Sequence, residues 1–232
     1  MPRRCGRFSL PPIERTHMLG LVEETVLLLL RDEGGSFVRV PTWSLRYSIA
    51  GAVLMELADA NRIDTDLEHL FLVDDTPTGD ELLDPTLAEV AAAERQNTRF
   101  WIEHVAEGAD DIRAAALGSL IAKGVLEEQD KRVLWVFKTR RYPTVDGHTR
   151  QEVKLRLMEV LLSDVIPDPR DVMLICLADA CGIFRALLSG RELAEVTPRI
   201  EQVTRLDLIG QTMVRAIDDV RMAVAAATAG HL

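Results

Sequence analysis

Residues 172–188, VMLICLADACGIFRALL, place apolar side chains on nearly every face of a helical wheel, and a helix of that kind has no side to give to water. The segment opens after Asp168-Pro169, a side-chain acceptor at the N-cap followed by the residue best tolerated in the first turn. A helix from Val172 to Leu188 is therefore expected at the centre of the fold, enclosed by other elements. The chain has the means to enclose it, since 232 residues at 47% hydrophobic content can build one sizeable core. Aromatic residues are only 5% while Leu, Ala and Val abound, a balance that favours packed helices over a β-sandwich. The expected fold class is mainly α: a compact helical domain with a central apolar helix and one or two small β-hairpins.

The enclosing helices are readable from spacing. Met18 to Arg31 carries Leu19, Val22, Val26 and Leu29 at helical intervals, broadened by Leu27, Leu28 and Leu30 into a largely buried helix that Asp32-Glu33-Gly34-Gly35 ends. Phe37 to Val40 reads as a short strand, and Pro41 precedes a second apolar helix from Arg46 to Ala60, where Ala50, Gly51 and Ala52 permit close approach. Asn61 to Asp74 alternates weakly through Ile63, Leu67, Leu70 and Leu72, the pattern of a small hairpin. Thr78 and Glu81 have the spacing of a capping box, and Asp84-Pro85 is a second start signal before two short helices, Leu87 to Ala93 and Phe100 to Ala106. Asp110 or Asp111 caps a clearer helix, whose stripe of Ile112, Ala116, Leu117, Leu120 and Ile121 ends at Gly124. After Gly147-His148 a helix runs to about Ser163 with Val153, Leu157, Val160 and Leu161 inward. Thr197-Pro198 starts the next, and Leu206 to Ala227 closes the helical set. No repeat or low-complexity linker divides the chain, so residues 18–232 are expected to form one domain. Met1 to His17 has arginines but no apolar h-region; it reads as a disordered basic arm rather than a signal peptide.

Between Lys123 and Pro143 the chain changes character. The order is a helix end, the polar stretch Glu127 to Arg132, the aromatic-rich run Val133 to Phe137, then Arg140 and Arg141. The expectation is a β-hairpin, reversing at the polar stretch, carried on a helical body. Its residues Lys131, Arg132, Val133, Leu134, Trp135, Arg140 and Arg141 join cations to large apolar groups, which suits an anionic lipid surface or another protein chain. Charge is distributed unevenly to match. From Lys131 to Arg156 there are eight basic and two acidic residues, a local +6, and the first seventeen residues add +3, so a chain of net charge −10 carries −19 elsewhere. A helix followed by a hairpin is also the order of a winged helix, but the preceding helix offers only Arg113 and Lys123 as cations. That would equip a nucleic-acid reader poorly.

Little in the chain suggests catalysis. There is no HExxH, P-loop, GxGxxG or GxSxG, and the five histidines are scattered. No cofactor is implied. The acidic cluster Asp74, Asp75, Asp80, Glu81 and Asp84 is accounted for by helix capping before any metal. Cys5, Cys176 and Cys181 make no disulfide framework, and the last two read as small buried hydrophobes of a reducing compartment. No run reaches the roughly 18 apolar residues of a membrane span.

The order of five segments resembles the Golgi phosphoprotein 3 family and its shorter prokaryotic relatives. They are LVEETVLLLLRDEGG, GAVLMELADANRI, DDTPTGDELLD, LIAKGVLEEQDKRVLWVF and MLICLADACGIFRALL, and the likeness runs from about Leu19 onward. The resemblance implies a mostly helical, non-enzymatic peripheral membrane protein that binds phosphatidylinositol 4-phosphate in a basic pocket beside a tryptophan. It also implies an adaptor for protein tails at the cytosolic face of the Golgi in eukaryotes, with the hairpin serving membrane contact or self-association. Trp43 matches the family tryptophan and Arg113 one arginine of the pocket. Ala50 and Asp110 stand where the family has two more arginines, which points to a prokaryotic or divergent member, and Arg46, one turn before Ala50, is placed to compensate. Trp43, Arg46 and Arg113 are thus the expected lipid-binding residues. Helix packing and a surface salt bridge are the competing account of them.

Overall fold

Helix α1 (Leu21–Leu28) is buried along its whole length, glutamates included. It lies between α2 (Thr42–Asp59), α5 (Ala109–Ala122), α6 (His148–Leu162) and α7 (Pro169–Ala180). The computed structural model describes residues 19–31, 34–66, 69–133, 137–145, 148–206 and 208–229. Among these, helices predominate, as the composition requires. The remaining ones are α3 (Asp84–Ala92), α4 (Thr98–Glu107), α8 (Ile183–Leu187), α9 (Gly190–Val203) and α10 (Leu208–Ala229).

The core forms around α1, α2 and α7 together. Gly51 lets α2 approach α7 closely, since a Cβ there would stand 2.4 Å from Leu177 Cδ2. Val153, Leu157, Val160 and Leu161 of α6 all face inward, as their spacing predicts. Cys176 and Cys181 are buried free thiols. The expected central helix from Val172 to Leu188 is in fact two helices, because Gly182 takes a left-handed φ of 67° and separates α7 from α8. Hydrophobic periodicity cannot register such a break, since apolar residues continue across Gly182, although in α8 only Ile183 and Phe184 are buried. The carbonyl freed at Cys181 accepts a hydrogen bond from Ser44 Oγ of α2.

Two other start signals are corrected. α9 begins at Gly190 behind the N-cap Ser189, which forms a capping box with Glu192, so Pro198 lies inside the helix rather than at its start. Asp84 is the first residue of α3 and turns its carboxylate back onto the preceding loop. It accepts from Thr78 N and Thr78 Oγ1 at 2.7 Å each and from Gly79 N at 3.0 Å, so Thr78 pairs with Asp84 and not with Glu81. That loop geometry satisfies more donors than a capping box with Glu81 would.

The expected hairpin at Asn61 to Asp74 is present as β1 (Ile63–Thr65) and β2 (His69–Leu72), antiparallel with Ile63 opposite Leu72. A third strand, β3 (Gln96–Asn97), joins β2; its two polar residues have no alternation by which to announce it. Phe37 makes only an isolated bridge to Leu30. The second hairpin consists of β4 (Gln129–Val133) and β5 (Phe137–Arg141), with Val133 opposite Phe137 and Asp130 opposite Arg140. The polar stretch expected to turn is therefore mostly strand. Gln129 to Arg132 are all polar, so they carry no period-2 signal.

Candidate functional site

One turn of α2 places Trp43, Arg46 and Tyr47 together, the two rings lying 6.2 Å apart. From the first turn of α5, Asp110 projects towards them with Arg113 three residues on, a spacing at which helical side chains meet. Asp110 then holds both arginines. Its Oδ2 is 3.0 Å from Arg46 Nη2 and its Oδ1 is 3.0 Å from Arg113 Nη2. The cluster faces solvent, with 43%, 26% and 52% of the Arg46, Arg113 and Asp110 side chains exposed. The Arg46 Nε–H is withdrawn from water and meets no acceptor. Burial, and the charge of Glu103, push the Tyr47 phenol upward against the opposing charges of Arg99 and Arg46.

An aromatic wall connects this cluster to the hairpin. The Arg113 guanidinium lies 5.2 Å from the centroid of Phe37, close enough for a cation–π contact. Phe37 meets Tyr142 edge-on at 6.5 Å. Tyr142 N donates to Gly35 O at 2.9 Å, which ties the foot of β5 to the turn that carries Phe37. Gly35 has φ 59°, and a Cβ there would come within 2.1 Å of the Tyr142 carbonyl carbon, so the contact requires glycine on both counts. Glu127 N to Pro143 O, at 2.9 Å, and the Leu126–Thr144 bridge fasten the ribbon on its other side. Arg141 lies against Gly34, where its Nη1 would be 2.6 Å from a Cβ.

The structure brings Arg46 and Arg113 onto one carboxylate and sets Trp43 one turn from Arg46. Lys131, Arg132 and Val133 fall on β4, and Arg140 and Arg141 on β5; Leu134 and Trp135 lie outside the described residues. Ala50 is fully buried, so its position is no part of the exposed cluster. What sequence reasoning took for a lost cation, Asp110, is the residue that joins the two that remain. The three-residue interval to Arg113 was a signal for half of that arrangement; nothing local announced Arg46, 64 residues away. Phe37 and Tyr142 were missed as the connecting wall.

Several other charged residues among the described ones are engaged structurally. Lys123, at the end of α5, turns its Nζ to both oxygens of the buried Glu23 at 2.7 Å. Of the two cations a recognition helix there would offer, Lys123 is committed to the buried Glu23, which weighs against the winged-helix reading. Glu24, also buried, accepts from Arg156 Nη2 at 2.8 Å and Arg170 Nε at 2.9 Å. In the acidic loop Asp74 pairs with Arg62 at 2.9 Å. His104 stacks on Phe100 at 5.6 Å and bonds Glu89 at 3.0 Å. No helix among the described residues is long and apolar enough to cross a membrane.

Comparison with known proteins agrees with the order of elements. The sequence model of one family, Golgi phosphoprotein 3 (GPP34), matches residues 21–223. Vacuolar protein sorting-associated protein 74 of Schizosaccharomyces pombe is 29% identical over 174 residues, which is 66% of this chain and 51% of that protein. The protein of the same name in Eremothecium gossypii is 24% identical over 210 residues, 75% of this chain and 63% of its own length. The aligned part thus spans between half and two thirds of these relatives.

Proposed function

This chain belongs to the Golgi phosphoprotein 3 family, and from that premise we propose that it is a non-enzymatic peripheral adaptor that docks on anionic lipid through Trp43, Arg46 and Arg113. The β4–β5 hairpin, with the Lys131 to Trp135 segment and Arg140 and Arg141, is its second point of attachment. The reading is supported chiefly by one observation: two arginines from different helices converge on a single solvent-facing point beside a tryptophan, next to the foot of a basic ribbon. Each cation near an anionic leaflet contributes about 1 kcal/mol, and apolar side chains add interfacial burial. Neither contribution alone holds a protein firmly, so docking needs the cluster and the hairpin together. In a cell with a Golgi the surface served is its cytosolic face, and protein tails are the cargo.

Flotation with phosphatidylcholine vesicles, with and without phosphatidylinositol 4-phosphate, tests the reading. Recovery with the lipid that falls in Arg46→Ala and Arg113→Ala is expected; no lipid-dependent recovery at low salt would refute it. Among the described residues the β4–β5 sheet has two strands, each with one edge unpaired within it, which favours a second reading, self-association through the hairpin. There Trp135→Asp would lower the sedimentation mass without altering far-UV circular dichroism, and an unchanged mass would exclude a part for Trp135.

A further inference from the structure

We infer that Asp110 is a tethered competitor for the anion site, and that it restricts the site to phosphomonoester head groups. The inference rests on the lipid-docking reading and adds a rule of selection to it. One carboxylate occupies two arginines at once, each oxygen 3.0 Å from a different guanidinium. Two oxygens of a phosphate present the same bidentate pattern to guanidinium groups. An incoming head group must therefore take the place that Asp110 holds.

Charge decides which head groups succeed. A phosphodiester, as in phosphatidylglycerol, carries one negative charge and only replaces like with like, while the displaced carboxylate stays nearby and repels it. A phosphomonoester carries between −1.5 and −2 at neutral pH and has a third oxygen. It gains against both arginines on exchange, since a larger charge meets the same two guanidinium groups. Asp110 has somewhere to go: it is half exposed, and it sits in the first turn of α5, whose N-terminus carries no side-chain cap and favours negative charge. Displacement thus costs little beyond the two ion pairs themselves. Without Asp110 the site would be a more open cation pair, attractive to any anionic surface.

Vesicle partitioning of wild type, Asp110→Asn and Asp111→Asn tests this with three compositions. These are phosphatidylcholine alone, with phosphatidylglycerol, and with phosphatidylinositol 4-phosphate at matched surface charge. Wild type is expected to prefer the phosphomonoester lipid. Asp110→Asn should bind phosphatidylglycerol vesicles about fivefold more tightly, the equivalent of about 1 kcal/mol for one charge at the surface, and the preference should shrink accordingly. Asp111→Asn removes the same charge one residue along, at a side chain with no part in the bridge, and should leave the preference intact. Inorganic phosphate at millimolar concentration, added as a soluble competitor, separates a site for phosphate itself from one that needs the membrane: only the former loses most vesicle binding.

If Asp110→Asn partitions like wild type while Arg46→Ala and Arg113→Ala bind less, the lipid site stands and the competitor role is overturned. Equal gains for Asp110→Asn and Asp111→Asn would overturn it too, by reducing the effect to net charge. Loss of all vesicle binding by every form would remove the docking reading and this inference with it. Thermal melts show that each variant is folded before it is compared.

Discussion

Replacing Glu24 with alanine removes a carboxylate that joins α1 to both α6 and α7. Its side chain is 5% exposed and accepts from Arg156 Nη2 at 2.8 Å and from Arg170 Nε at 2.9 Å. Hydrogen bonds to charged groups contribute about 1.5–3 kcal/mol each, and removing one partner of a buried ion pair costs about 3–5 kcal/mol. The arginines are 39% and 25% exposed, so water recovers part of what they lose, and Arg156 keeps Asp171. A destabilisation of about 3 kcal/mol follows, which in a protein of this size lowers the melting temperature by about 6–12 °C. Urea unfolding followed by circular dichroism should show an earlier midpoint with an unchanged slope. Glu24→Gln, which keeps shape and one acceptor, should fall between wild type and alanine. A loss under about 1 kcal/mol for alanine would mean that the network is solvated and that apolar packing alone holds α1 in place.

Gly35→Ala meets both a left-handed φ and backbone atoms of Tyr142 and Pro143 that cannot move aside. It should cost about 3 kcal/mol or more and speed hydrogen exchange at the Tyr142 amide; wild-type exchange there would refute the close approach. The hydrogen bonds of Thr78 hold the Asp84 carboxyl below the usual aspartate range. A depressed carboxylate stabilises the fold above its unfolded pKa, about 3.9, and loses that contribution as pH falls through the lower folded value. Thr78→Val should therefore melt below wild type at pH 7, the two curves converging as pH drops towards 3 and below. A gap that stays constant with pH would exclude the linkage.

Much of the helical core was legible because burial and helical spacing are the same signal. Val153, Leu157, Val160 and Leu161 form a stripe, and the stripe is what α6 buries. Where a boundary depends on one backbone angle the signal fails. Gly182 divides α7 from α8 without changing which residues are apolar, and Pro198 suggested a start in the middle of α9. The hairpin's location was readable but its register was not, since Gln129 to Arg132 are all polar and carry no alternation to fix a period. The site was half legible: its residue types stood out, and their mutual arrangement did not.

The sequence by itself determined that this is a helical protein with a basic, aromatic segment between Lys123 and Pro143, and it offered Trp43, Arg46 and Arg113 as candidates for lipid binding. Periodicity reports which face of an element leaves water, and that property is local. Only the tertiary structure decided what meets what. Glu23 and Glu24 lie next to each other in the chain and look like a polar face, yet both are buried because partners from 96 to 146 residues away come to them. Asp110 likewise reads as a charge opposed to phosphate, and in the fold it is the anion that Arg46 and Arg113 already share. A charge's meaning depends on its nearest opposite charge, and packing of the helices sets that distance.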